Sequence, residues 1–170
     1  PAVGRRPDPV RGRTACRVRE PRALVESVFA VQPRWDMSAT PVEQAFARHV
    51  AAVENRDRGA FLANFSENAV VEDPVGPSPL DPCGRGHRGR AAIGAFWDAV
   101  IGPGSVRFAI DRAYVCGAEI ANVGTIHNQL PGSDREIAAH GVFVYRVDGE
   151  GKIVSLKAYW EYDKTMRGDG

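Results

Sequence analysis

Apolar residues of the chain follow two different periods, a helical one first and an extended one later. Behind Thr40 they recur mostly at spacings of three and four, at Val42, Phe46, His49, Val50 and Val53. This spacing is the period of an amphipathic helix with one buried face. The helix is predicted to begin at Thr40-Pro41-Val42-Glu43, a capping box with proline at the first helical position, and to end near residues 55–57.

Two shorter helices and a strand are predicted to follow the first helix. The second helix runs through Phe65, and the apolar run from Ala69 to Glu72 is a strand. Residues 74–89 are rich in proline and glycine and are predicted as a loop. The third helix is predicted from about Arg90 to Val100, with Ile93, Phe96, Trp97 and Val100 buried.

Beyond residue 104 the pattern becomes extended. Four strands are predicted, at residues 105–115, 119–130, 136–147 and 152–162, separated by turns that contain Gly, Asp or Pro. Helices followed by an antiparallel sheet indicate an α+β fold. We therefore predict a strongly curved antiparallel sheet wrapped on three N-terminal helices, a cone whose apolar mouth suits a small molecule.

The charge of the chain is concentrated in its first part. The net charge of the 170 residues is +1, but residues 1–36 hold eight arginines against four acidic residues. This Arg- and Pro-rich segment is predicted to be a disordered leader or an upstream translation product, and it lacks the features of a secretory signal. Residues 37–170 are predicted to form the functional domain, because the chain has the length of one domain.

Several classes of protein do not fit this composition. The part after residue 36 has no basic surface for nucleic acid, and no apolar run is long enough to span a membrane. Cys16, Cys83 and Cys116 are too widely spaced for a zinc site or a disulfide framework. Cys116 is predicted to be a small buried hydrophobic residue. These features predict a cytoplasmic protein without a metal.

Asp73 is the first candidate for chemistry, because an apolar run ends at Glu72-Asp73-Pro74. A strand that carries Asp73 to this break would hold the carboxylate at the edge of a hydrophobic layer. Desolvation there would raise the carboxyl pKa and make the ionised group a better proton acceptor. The simpler alternative is that Asp73 only opens a turn, since Asp and Pro are common turn residues.

The chain resembles the ketosteroid isomerase group of the NTF2-like (SnoaL-like) superfamily over about residues 40–163. The resemblance lies in Ala69 to Gly76, in His87-Arg88-Gly89-Arg90, and in the segment from Tyr145 through Ala158-Tyr159-Trp160. It implies a deep apolar pocket, a homodimer and no cofactor. The activity it implies moves a proton between carbons of a 3-oxo-steroid through a dienolate.

The resemblance also implies roles for single residues. Asp73 matches the catalytic aspartate, whereas His49 stands at the position of the oxyanion tyrosine and Phe143 at that of the protonated aspartate. Phe143 cannot donate a hydrogen bond, and His140 could replace that donor if a bulge turned it inward. His49 could donate to an oxyanion. A lone histidine on an apolar helix face can also be an ordinary core residue.

A pocket wall is predicted from Phe65, Val71, Phe96, Trp97, Val142, Phe143 and Trp160, although each also fits an ordinary core. Three functions remain open. The favoured one is an isomerase for a steroid or similar fused-ring enone. The others are a related enzyme, such as a polyketide cyclase, dehydratase or epoxide hydrolase, and a non-catalytic carrier of apolar ligands. In each case the partner is a small apolar molecule, steroid or polyketide-like.

Overall fold

A computed structural model describes residues 39–132 and 134–168, so the predicted leader at residues 1–36 lies outside the described residues. The elements are α1 (Pro41–Glu54), α2 (Arg58–Ala63), β1 (Phe65–Glu72), β2 (His87–Arg88), α3 (Gly89–Phe96), β3 (Ser105–Cys116), β4 (Glu119–Gln129), β5 (Glu136–Val147), β6 (Ile153–Tyr159) and α4 (Tyr162–Arg167). The helix α3 continues into one π-helical turn, Trp97–Ile101. The predicted α+β class is confirmed.

Local hydrogen bonds define where the first two helices begin. The Thr40 side chain accepts from the backbone N–H of Glu43, and the Glu43 carboxylate accepts the Thr40 backbone N–H at 2.7 Å. Asp57 caps α2 by accepting the Ala60 N–H at 2.9 Å. These caps satisfy backbone donors that the first helical turn leaves open. The predicted start of α1 is therefore confirmed.

The sheet has six strands in the order β2-β1-β6-β5-β4-β3. The strands β3 to β6 pair antiparallel in the order of the sequence, as predicted. The exception is β1, which pairs parallel with β6. The sheet is thus mixed. Two parallel strands cannot be joined by a hairpin, and β1 and β6 are separated by a long stretch of chain.

Irregularities in strand register accompany the curvature of the sheet. The register shifts between Ile110 and Arg112 in the β3–β4 pair, and between Arg146 and Val147 in the β5–β6 pair. Bulges of this kind bend a strand and increase its twist. The helix α1 contacts β3 and β5, and α3 contacts β1, so the helices cover one face of the sheet. We call this the inner face and the opposite one the outer face.

Four local predictions differ from the structure. Phe65 is the first residue of β1 and not part of the second helix, and the segment predicted as a loop contains the short strand β2. The last strand ends at Tyr159 and is followed by α4, which the sequence pattern does not show. Cys116 is exposed, because it ends β3 at the edge of the sheet. No helix among the described residues has the length and apolar character needed to cross a membrane.

Candidate functional site

A cavity of about 250 Å³ lies between the inner face of the sheet and the helices. Most of its wall is aliphatic or aromatic, including Val53, Phe61, Val71, Phe96, Phe108, Ile126, Phe143 and Leu156. Among the described residues that line it, four carry strongly polar groups: His49, Asp73, Asn128 and Tyr145. An apolar cavity with a few converging polar groups is the usual form of a small-molecule site.

Asp73 directly follows β1 and lies in the wall of this cavity. Behind it, the backbone N–H of Val75 donates to the carbonyl oxygen of Ala158 at 2.9 Å, which ties the turn to β6. Trp160 follows the end of β6, and its indole Nε1 donates to Asp73 Oδ1 at 2.6 Å. The parallel pairing of β1 and β6 thus brings the two side chains together.

The carboxyl group of Asp73 is desolvated. Burial raises its pKa above the usual value, and the hydrogen bond from Trp160 partly offsets that increase. Within the described part of the chain, Oδ2 accepts no hydrogen bond. Asp73 therefore has one oxygen that is held in place and one that can accept a proton from a ligand.

His49 lies on the buried face of α1 and is only 4% exposed. Its ring centroid is 5.1–6.0 Å from four aromatic rings, those of Phe61, Phe65, Phe108 and Tyr145. Burial lowers the pKa of His49 to about 3, so its imidazole is neutral at physiological pH. Its Nδ1 atom is buried and has no hydrogen-bond partner among the described residues. A neutral imidazole carries one N–H donor, which can serve a ligand.

The sequence offers Tyr145 and Tyr114 as donors to a ligand without a spacing argument for either, and the structure places Tyr145 in the cavity wall. It lies on β5 two positions after Phe143, and its ring centroid is 5.1 Å from that of His49. Residues two apart on a regular strand point to the same face. This spacing from Phe143 is the signal in the sequence that could have identified Tyr145.

The structure brings six of the predicted site residues to the cavity: His49, Val71, Asp73, Phe96, Phe143 and Trp160. It places His140 and Val142 on the outer face instead. The β4–β5 register runs without a shift from Glu119–Arg146 to Gln129–Glu136. The bulge that His140 would need is absent there, and its Nδ1 lies 3.1 Å from Thr125 Oγ1 on the outer face. The predictions for His140 and Val142 are therefore wrong.

Phe65 and Trp97 are buried core residues that do not line the cavity. Both pack against Phe61, with ring centroids 5.0 Å and 4.6 Å away. Phe65 also contacts the ring of His49. They lie behind the cavity wall, so the structure does not place these two predicted wall residues at the cavity. No group of three or more His, Cys, Asp or Glu residues in the described ranges could hold a metal ion.

The chain is similar to a set of steroid isomerases. The profile of the SnoaL-like domain family matches residues 46–156. The steroid Delta-isomerase of Nocardioides simplex is 30% identical over 120 residues, which are 70% of this chain and 89% of that protein.

Solved structures give the same picture. The Δ5-3-ketosteroid isomerase from Mycobacterium sp. matches with a TM-score of 0.70 and 35% identity over 74% of this chain and 96% of its own. RV0760c from Mycobacterium tuberculosis, in complex with estradiol-17beta-hemisuccinate, matches with a TM-score of 0.70 and 31% identity over 74% of this chain and 97% of its own. An LEH-like epoxide hydrolase of M. tuberculosis, with a TM-score of 0.62 and 20% identity over 75% of this chain and 88% of its own, shares the fold alone.

Proposed function

Since the chain belongs to the SnoaL-like domain family, we propose that it is an isomerase that moves a proton between two carbons of a steroid or similar fused-ring enone. The observation that carries this proposal is the position of the Asp73 carboxylate. The carboxylate is half-buried in the wall of an apolar cavity, with one oxygen held by Trp160 and the other free among the described residues. A desolvated carboxylate of this kind is suited to abstract a proton from carbon.

In the proposed reaction, Asp73 removes a proton from the carbon next to the ligand's carbonyl group. The electrons of the broken C–H bond enter the conjugated system, and negative charge develops on the carbonyl oxygen. The protonated Asp73 then returns the same proton to a carbon two positions further along, and the carbonyl is restored. No atom is gained or lost, so Asp73 alone can serve as base and then as acid.

The neutral imidazole of His49 is proposed to donate a hydrogen bond to the oxygen on which charge develops. The four surrounding aromatic rings hold the imidazole in place, so little reorganisation is needed when the charge appears. The donor is uncharged, because burial lowers the pKa of His49 to about 3. His49 would thus stabilise the enolate without transferring its own proton.

The small volume and apolar wall of the cavity favour a compact and rigid ligand. Its volume of about 250 Å³ is near the lower end of small-molecule sites, roughly 300–1,000 Å³. Fused rings bury much apolar surface with few rotatable bonds, so they lose little conformational entropy on binding. The relatives named for steroid isomerisation, and the one solved with an estradiol derivative, support a steroid or similar ligand.

A second function, carriage of an apolar ligand without catalysis, is favoured by Phe143. This residue is 2% exposed and presents an apolar ring to the cavity, at the position where the resemblance to the isomerase group implies an acidic donor. A related enzyme of the same fold acting on a polyketide or an epoxide is the remaining alternative. The isomerase, the carrier and the related enzyme each predict a different result when the protein is tested with a panel of substrates.

The homodimer remains a proposal, and the outer face of the sheet supports it. Val123 and Val142 are paired across β4 and β5 there, and Val142 is paired with Tyr159, which is 46% exposed. This apolar surface at the centre of a sheet is suited to cover the same surface of a second copy.

The proposed function is tested by turnover of a 3-oxo-Δ5-steroid, followed by the absorbance of the conjugated product. We expect turnover by the wild-type protein and a loss of about 10³-fold or more in Asp73→Asn, with steroid binding retained. The exposed Asp111→Asn is the matched control. Turnover of a polyketide or an epoxide, but not of the steroid, would favour the related-enzyme alternative. Tight binding with no turnover at any pH would favour the carrier.

A further inference from the structure

We propose that Tyr145 donates the second hydrogen bond to the ligand oxygen, beside His49, and so supplies the donor that Phe143 cannot. The inference rests on the proposed function and deepens it by naming a catalytic residue for the same site. It predicts that the donor has moved two positions along β5, from residue 143 to residue 145, while staying on the inner face of the sheet.

The register of the sheet places Tyr145 in the right wall. Tyr145 pairs with Ile120 on one side and with Leu156 on the other, and Phe143 pairs with Asn122 and Ala158. The pairing is continuous from 143 to 145, so both side chains point to the inner face. Tyr145 is 1% exposed and nevertheless lines the cavity. The side chain is therefore reached from the cavity rather than from the outer surface of the protein.

The hydroxyl group of Tyr145 has no hydrogen-bond partner among residues 39–132 and 134–168. Buried tyrosine hydroxyls usually have a partner, because an unpaired polar group in the interior is costly. A ligand oxygen in the cavity would provide that partner. The side chain is thus suited to binding an oxygen atom rather than to filling space.

The neighbours of the ring hold this hydroxyl in place. Phe46 and His49 each pack edge-on against the Tyr145 ring, with centroids 5.1 Å away at interplanar angles of 65° and 67°. A donor held in this way is already oriented when charge develops on the ligand. The same contact places the rings of His49 and Tyr145, the two proposed donors, side by side.

The electrostatic surroundings keep Tyr145 protonated. Burial raises the pKa of its hydroxyl, and the nearby charge of Asp73 raises it further. The group therefore retains its O–H over the physiological range and can donate it to a ligand oxygen. During the proposed reaction the proton moves between the ligand carbons through Asp73, while Tyr145 keeps its own proton and shares it with the enolate oxygen.

The experiment compares Tyr145→Phe with Tyr114→Phe. Tyr114 is 51% exposed, so its variant is the matched control for removal of a tyrosine hydroxyl. Binding of 2-naphthol and of naphthalene is measured by fluorescence titration for both variants and the wild type. The two probes have the same fused rings, and only the naphthol presents an oxygen, so their ratio reports the contribution of the oxygen.

We expect Tyr145→Phe to weaken binding of 2-naphthol by about tenfold and to leave naphthalene binding within about twofold of the wild type. Tyr114→Phe should leave both affinities unchanged. Equal 2-naphthol affinity in Tyr145→Phe and the wild type would overturn the inference. Equal weakening of both probes would also overturn it, since the effect would then come from altered packing.

Turnover separates this inference from the proposed function. If both hold, Tyr145→Phe should lower kcat by about 10²-fold, with little change in KM. If the wild type turns over no enone but the naphthol effect is present, the proposed isomerase function fails and the donor role stands. If the wild type turns over the steroid and Tyr145→Phe does so equally, the donor role fails and the isomerase function stands. Thermal unfolding of the variant checks that it is folded.

Discussion

The indole Nε1 of Trp160 donates a hydrogen bond to Oδ1 of Asp73 over a distance of 2.6 Å, across 87 positions of sequence. This contact holds the carboxylate at the edge of an apolar cavity and gives one of its oxygens a polar partner. It also limits how far burial raises the carboxyl pKa. The pair therefore sets both the direction and the basicity of the proposed base.

The pH dependence of turnover should report on this contact. Replacing Trp160 with Phe removes the indole donor, so the pKa of Asp73 should rise further and the acidic limb of the kcat/KM profile should move to higher pH. The loss of activity should be larger in acid than in alkaline solution. The exposed neighbour variant Tyr159→Phe is the control. A uniform loss at all pH values would show that Trp160 acts only through packing.

Removing the charge of Asp73 should stabilise the fold. The folded state raises the pKa of this group, so it binds the proton more tightly than the unfolded state does. Stability is therefore lost as the pH rises from the unfolded pKa of about 4 to the raised folded value. Asp73→Asn should gain stability relative to the wild type over that window and keep the gain above it. Urea unfolding at several pH values measures this, and a constant difference at all pH values would contradict it.

His49 should make the fold sensitive to acid. Its folded pKa of about 3 lies below the ordinary histidine value of 6.5, so the neutral ring must gain a proton when the chain unfolds in acid. This contribution is present above the unfolded pKa, and falls by at most about 1.4 kcal/mol for each pH unit below it. The free energy of unfolding of His49→Gln should lack this dependence on pH, whereas that of His140→Gln should keep it. If the free energy of unfolding depended on pH in the same way in the wild type and in His49→Gln, a buried neutral histidine at position 49 would be excluded.

The two histidines should also differ in catalysis. His49→Gln should lower kcat by about 10²-fold, because it removes a donor that faces the cavity. His140→Gln should leave kcat unchanged, since His140 lies on the outer face beside Thr125. Steady-state kinetics with a 3-oxo-Δ5-steroid measures kcat for both variants. Similar losses in both variants would contradict the placement of His140.

A charge at the centre of the outer face should prevent the proposed dimer. Val142→Glu places a carboxylate between Val123 and Tyr159, where burial against a second copy would be costly. Ala138→Glu places the same charge elsewhere on β5 and is the control. Sedimentation should show a dimer for the wild type and the control, and a monomer for Val142→Glu. A monomeric wild type would exclude the homodimer.

The sequence predicted best those features that depend on neighbouring residues. The start of α1 follows from the four residues of its capping box. The position of Asp73 at the end of a strand follows from the apolar run that precedes it in the sequence. Strand faces follow from alternation, but only when the register has no bulge. His140 and Phe143 are three positions apart, so a regular strand puts them on opposite faces, and the structure has a regular strand there.

Contacts between distant segments were not predictable in the same way. Nothing local shows that β1 pairs parallel with β6, and the hydrogen bond between Asp73 and Trp160 depends on that pairing. Phe65 and Trp97 look like wall residues in the sequence, but Phe61 lies between them and is the residue that reaches the cavity. The helix α4 is six residues long and has no apolar period to indicate it.

The parallel pairing of β1 and β6 places the proposed base and the residue that orients it at the same end of the sheet. Both strands end at the same edge, so the base and the residue that orients it need no loop of their own to meet. Part of the remaining wall comes from β3, β4 and β5, and another part comes from the helices α1, α2 and α3. Substitutions at the inner residues of those three strands can change which molecule is bound without altering the contact between Asp73 and Trp160.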